Sequence, residues 1–338
     1  MDIISEMYDS GTSHGSFEFD DNTALADIEY FGIAPQVYFL LKQNGKLLQT
    51  PRAFQNSLKE AFDQTLLLNF FIKNQTVQIF SMFELEGIDV IPLKGTYFSE
   101  TYFGHLGARP TSDIDLLIRE TELEHAIACL KELGFSVEAD IIPDHFHASF
   151  SKELPNSRIP LTVELHWDLI KKNTSAFVVE EFWQEANKFD NYQHVKELSV
   201  YHTFYMICLH GWRHNMDSLK YFIDIIQILV LHHDEIDYRT LLNDAKSHKT
   251  LKRMIRTLSI IYSQYPFLHK IKPFPYRKSI LFWDSRAFRN QEKKSLKTYL
   301  DFFDYQLSSY DSPIHSLIEM KEWLHLLNPR KIIKKETT

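Results

Sequence analysis

Two aspartates stand two residues apart in Ser112-Asp113-Ile114-Asp115-Leu116-Leu117-Ile118, a run otherwise apolar enough to be a strand. Successive side chains of a strand point to opposite faces, so Asp113 and Asp115 share one face while Ile114 and Leu116 take the other. Carboxylates held side by side repel unless a cation intervenes. A divalent metal is the usual solution, since Mg²⁺ takes oxygen ligands and combines one or two carboxylates with substrate phosphates. Taken alone, the pair also fits a solvated strand end.

A second run, Leu161-Thr162-Val163-Glu164-Leu165-His166-Trp167, puts Thr162, Glu164 and His166 on one face and Leu161, Val163, Leu165 and Trp167 on the other. A glutamate inside so apolar a strand is expensive to bury unpaired. If the two strands are neighbours, Glu164 becomes a third carboxylate at the same metal site; a salt bridge to Arg109 or Lys94 is the alternative. Lys94-Gly95-Thr96 falls between a short β-rich run, 88–93, and a helical stretch, 97–103. There the free N–H groups and the positive end of the helix dipole suit an anion. Gly95 permits close backbone approach, Thr96 adds a hydroxyl and Lys94 a charge, whereas one glycine alone means only a turn.

Around these motifs the chain changes texture. Residues 9–22 are rich in Ser, Gly and Asp and have no apolar period, which reads as a mobile leader covering 1–22. From 23 to 86 Leu58, Phe62, Leu66, Leu67, Phe70 and Phe71 recur at helical spacing. Strands and helices mix over 87–180, with a helix at 120–133 ended by Gly134 and a strand at 146–150. Everything after Glu180 reads as helix, with segments at 204–214, 219–231, 238–247, 251–265 and 296–307. The expected fold is α+β: a small mixed-sheet core, an N-terminal helical segment, a larger C-terminal helical domain over 181–330 and a basic tail over 331–338. With only 10 glycines in 338 residues and plentiful Phe, Tyr, Leu and Ile, the balance favours long helices over a loop-rich all-β fold.

The runs Leu93-Lys94-Gly95, Arg109-Pro110-Thr111-Ser112-Asp113-Ile114-Asp115-Leu116-Leu117-Ile118 and Val163-Glu164-Leu165-His166-Trp167, with Tyr102 between the first two, resemble the uncharacterised nucleotidyltransferase family of the DNA polymerase β-like superfamily. The likeness is close over 87–168 and looser at His210-Gly211-Trp212 and Lys220-Tyr221-Phe222-Ile223-Asp224. It implies a polymerase β-like core and a two-metal enzyme. That enzyme would move a nucleoside monophosphate from a nucleoside triphosphate, ATP by preference, to a hydroxyl of a small molecule, peptide or protein. Asp113, Asp115 and Glu164 would be catalytic and hold Mg²⁺ or Mn²⁺. Lys94, Gly95, Thr96, Arg109 and Lys220 would meet the nucleotide, although Arg109 also fits a loop brace and Lys220 an ion pair with Asp224 four residues on. The superfamily's phosphate loop usually has serine where Thr96 stands. Two rival readings are a glycosyltransferase using the D-x-D pair and a nucleotide-binding regulatory module that has lost turnover.

Composition removes other classes. Cys129 and Cys208 lie far apart, in no disulfide or zinc spacing. His145 with His147, and His210 with His214, could each share a face, but no H-E-x-x-H arrangement completes a zinc site. The net charge of −8 argues against wrapping a nucleic-acid backbone, and Arg330, Lys331, Lys334 and Lys335 read as a solvated tail. The longest apolar stretch, 221–231, is interrupted by Asp224 and Gln227 and falls short of the ~20 residues that span a bilayer. No secretory signal pattern begins the chain, so the expectation is a soluble cytoplasmic protein.

Overall fold

The computed structural model describes residues 2–8, 21–138, 145–154, 159–276, 282–284 and 296–326. Four helices come first: α1 (Asp2–Tyr8), α2 (Asp21–Tyr30), α3 (Ala34–Gln43) and α4 (Arg52–Glu86). The start of the expected leader is thus helical. Ile3, Ile4 and Met7 are buried in the larger core, and that burial orders a segment with too few residues to show a period. Most of the rest of the leader, 9–20, and the basic tail lie outside the described residues.

The 35 residues of α4 make a rod of about 52 Å at 1.5 Å per residue, and it ends where Gly87 enters the left-handed region at φ 70°. Its first half buries Phe54, Leu58 and Phe62 in one core, its second half Ile72, Ile79, Phe80 and Phe83 in another. Leu67 and Phe70, read as part of the apolar stripe, are exposed instead. Asn69 takes the inward position there and donates to the carbonyls of Leu106 and Arg109, at 2.6 and 2.7 Å, fixing the loop that leads to the D-x-D strand.

The sheet is built from β1 (Val90–Pro92), then α5 (Gly95–Phe103), β2 (Asp113–Ile118), α6 (Leu123–Glu132), β3 (Ser136–Val137), β4 (His147–Lys152) and β5 (Leu161–His166). Its order is β1-β2-β5-β4-β3, with β2 and β5 parallel and the other pairs antiparallel. Ile114, Leu116, Val163 and Leu165 pack with Phe83, Leu130 and the free thiol Cys129, so the sheet's apolar face rests on α4 and α6. The opposite face is left for the polar side chains.

After α7 (Val179–Gln184) the chain departs from the all-helical expectation. A two-stranded hairpin, β6 (Asn187–Lys188) and β7 (Lys196–Glu197), lies beside the free edge of β1. There the Val90 N–H donates to His194 O at 2.9 Å, and the Glu84 carboxylate accepts the N–H groups of Gln193 and His194 at 2.7 and 2.8 Å. Helices follow: α8 (Val200–Arg213), α9 (Leu219–His232), α10 (Tyr238–Ser247), α11 (Leu251–Gln264), α12 (Leu268–Ile271), α13 (Leu296–Phe303) and α14 (Pro313–Leu326), the last two joined through a π-helical stretch, Asp304–Ser308. No described helix is long and apolar enough to cross a membrane.

Candidate active site

Parallel pairing of β2 with β5 sets Asp113 opposite Thr162, Asp115 opposite Glu164 and Leu117 opposite His166. Directly opposed residues of a sheet present their side chains to the same face, so Asp115, Glu164 and His166 converge. Their ligand atoms lie within 4.8 Å of one another, the one group of three or more such residues found close enough to share a metal ion among the described residues. Asp113 shares the face but sits one pleat earlier, half-buried, with the Ser112 hydroxyl 3.2 Å from its Oδ1. The close trio therefore differs by one member from the one expected, His166 standing in for Asp113.

Charge is distributed unevenly over this face. Lys94 Nζ is 3.1 Å from Asp115 Oδ1, while His166 Nε2 is 3.3 Å from that same oxygen and 3.2 Å from Glu164 Oε2. Burial tends to raise the Asp115 carboxyl, but Lys94 and then His166 hold it well below the usual carboxylate range. The His166 hydrogen bond keeps Glu164 low as well. Burial disfavours a charged His166, yet its bonds to Asp115 and Glu164 raise the ring above its ordinary value. Asp113 makes no salt bridge among the described residues: burial first, and Asp115 second, push its carboxyl up against a weaker pull from Lys94.

The turn at 94–96 takes the form that an anion site needs. Gly95 is the first residue of α5, with φ +72°, and a Cβ there would meet Thr111 Cγ2 at 3.4 Å and Asp113 O at 3.5 Å. The turn is bound to the D-x-D strand, since the Leu93 N–H donates to Asp115 O at 3.0 Å. Thr96 is buried beside it. Lys220, at the start of α9, keeps much of its surface in solvent with its ammonium 5.2 Å from the Tyr221 ring, and the partial desolvation of that end together with Arg109 lowers its pKa.

Two sequence expectations are redistributed. Asp224 pairs with Arg109 instead of Lys220, and neither Arg109 nor Lys94 pairs with Glu164. Arg109 lies buried over the Phe98 ring, so of its two readings the geometry matches the brace. The histidine pairs do share faces. His147 stacks on His166 with centroids 5.1 Å apart and is pushed down to about 4 by burial and by that neighbour; His214 stacks on Tyr221 at 5.0 Å. Sequence reasoning passed over Arg213, whose guanidinium lies 4.7 Å from the Phe146 ring and feels Glu164 and Asp115, and Arg253, buried in α11. Neither sits in a motif that marks it.

A mixed sheet that presents aspartates and a glutamate from parallel neighbouring strands, with a Lys-Gly-Thr turn opening a helix beside them, defines a nucleotidyltransferase-type core. The chain belongs to the uncharacterised nucleotidyltransferase family, whose family model matches residues 17–263. No curated protein and no solved structure matches it.

Proposed function

We propose that the protein transfers a nucleoside monophosphate from a nucleoside triphosphate, with ATP as donor, to an acceptor hydroxyl, and that Asp113, Asp115 and Glu164 are its catalytic carboxylates. The observation that supports this most is the register placing Asp115 opposite Glu164 on a face also reached by Lys94. The residues fit divalent cations. Asp113 is a crowded carboxylate with no direct salt bridge among the described residues, only a more distant pull from Lys94, and carboxylate oxygens are the donors that Mg²⁺ and Mn²⁺ prefer. Asp113, Asp115 and Glu164 would hold these ions. Bound there, the metals would stabilise charge on the phosphoryl oxygens and make the acceptor hydroxyl more acidic.

In the reaction the acceptor oxygen forms a bond to the α-phosphorus, the bond from that phosphorus to the β-phosphate oxygen breaks, and pyrophosphate leaves. Glu164, kept ionised by His166, takes the acceptor's proton. Backbone N–H groups at Gly95 and Thr96 hold phosphate oxygens, and Lys94 meets the charge that builds on the leaving group. Lys220 approaches the triphosphate from α9. The test is incubation with each labelled triphosphate, Mg²⁺ or Mn²⁺ and cell extract; label on an acceptor with metal-dependent pyrophosphate release is the expected result, and absence of both overturns the reading.

A further inference from the structure

A cavity of about 590 Å³ has Lys94 and His166 in its wall and extends from them to α8, α11 and the segment 305–319. This volume falls within the range that holds small organic ligands. Much of the lining is apolar, with Phe146, Ile170, Met206 and Leu209 among the residues. Lys94, Lys171, Arg213 and Glu319 bring charge to its wall, and the most deeply buried charge there is Arg253. Its side chain is fully buried, with the guanidinium carbon 4.5 Å from the ring centroids of both Trp212 and Tyr310. One terminal nitrogen donates to the Thr174 carbonyl, and Nε donates to nothing.

A buried guanidinium without a counter-ion is costly, and the chain shows nearby how such a group is otherwise satisfied. Arg256, one turn further along α11, pairs its terminal nitrogens with Asp301 at 2.6 Å, with Asp304 and with Asn215 Oδ1 at 3.0 Å, and only its Nε lacks a partner among the described residues. No described carboxylate pairs directly with Arg253, although Asp311 and Glu319 lie close enough to favour its charge. Glu319, also in the cavity wall, pairs with Lys171 at 3.4 Å, and Asp311 accepts the Lys252 N–H at 3.2 Å. Two aromatic faces hold the guanidinium in place, and beyond the bond to Thr174 its Nε keeps a donor without a partner among the described residues.

We infer that this cavity is the acceptor pocket and that the acceptor carries an anionic group, a carboxylate or a phosphate, that Arg253 binds while the acceptor's hydroxyl lies toward His166 and Glu164. The inference rests on the transferase reading for the word acceptor. The anion site itself stands on the cavity and on Arg253.

The test therefore omits nucleotide and metal. Binding of 3-phenylpropionate, phenyl phosphate and neutral 3-phenylpropanol to the full chain is measured by calorimetry at low ionic strength. At least one anion is expected to bind about tenfold more tightly than the alcohol, as a charge-assisted hydrogen bond requires. A preference for carboxylate or for phosphate tells which group the acceptor bears. Arg253→Met should remove the preference and keep the alcohol's affinity, and Gln306→Trp, which fills the cavity from its wall, should weaken all three. Equal binding of the three probes to the wild type, or an anion preference that survives either variant, overturns the inference. If Arg253→Met does not melt cooperatively, the wild type and Gln306→Trp decide. Anion binding here without pyrophosphate release in the transfer assay would leave the pocket standing and the transferase reading fallen.

Discussion

Arg109 and Asp224 meet in a two-pronged ion pair, Nε to Oδ1 and Nη2 to Oδ2 both at 2.8 Å, although 115 residues separate them in the chain. The pair ties the loop before β2 to α9, so the orientation of the D-x-D strand depends on a contact with the C-terminal helices. Both side chains are buried, and removing one partner leaves the other charge unsolvated. Arg109→Met should cost about 3–5 kcal/mol, whereas Arg109→Met with Asp224→Leu should recover most of that loss. Chemical denaturation of the three proteins checks this, and additive losses would show that the pair is not a unit.

Because Arg109 occupies Asp224, Lys220 is free of the ion pair that its sequence spacing suggested. Lys220→Ala should therefore change stability by no more than about 0.5 kcal/mol, the usual scale for an exposed side chain. Triphosphate affinity should fall in the same variant. Calorimetric titration with a non-hydrolysable triphosphate measures it; wild-type affinity would leave Lys220 as a surface residue beside Tyr221.

Gly95 is constrained by its backbone. At φ +72° any other residue pays a conformational penalty of about 1–3 kcal/mol, whereas an added Cβ would only come into van der Waals contact with Thr111 and the Asp113 carbonyl. Gly95→Ala is a gentler probe than a β-branched substitution. It should lower the melting temperature modestly and weaken nucleotide binding by more than the stability loss explains. A variant destabilised but binding normally would mean that the turn only supports β2.

How far the sequence could be read follows from which signals are local. Alternation along 112–118 and 161–167 identified both strands and the faces of Asp113, Asp115 and Glu164, because a half-buried strand writes its period directly into the chain. What alternation cannot supply is register. That Asp115 lies opposite Glu164, and that His166 joins them ahead of Asp113, depends on how β2 and β5 slide against each other. The hairpin at 187–197 was missed because two-residue strands in a polar segment carry no period. Arg253 was invisible for another reason: a charged residue on a helix normally marks the solvated face, and here Trp212 and Tyr310, 41 and 57 residues away, close over it.

The carboxylates themselves should respond differently to loss of charge. Asp113 has a carboxyl raised by burial and by Asp115, so its ionised form is disfavoured by the fold, and Asp113→Asn should leave the metal-free protein as stable or more stable near pH 7. Asp115 is the reverse case. Its carboxyl is held down by Lys94 and His166, so its charge stabilises the fold above the usual carboxylate range and that contribution fades as pH falls below it. Asp115→Asn should thus destabilise the metal-free protein at pH 7 and lose that difference from wild type in acid. Both variants should lose catalysis and the rise in melting temperature that Mg²⁺ with nucleotide gives the wild type by linkage. Glu164→Gln should retain part of the nucleotide-dependent rise, since Lys94 and the Gly95 turn remain, while turnover falls by about 10²-fold or more with the proton acceptor gone. Melting curves across pH, with and without Mg²⁺ and ATP, separate these outcomes. Wild-type transfer by either aspartate variant would remove the carboxylates from the mechanism, and identical stability changes in Asp113→Asn and Asp115→Asn would refute the claim that Lys94 and His166 steady Asp115 more than Asp113.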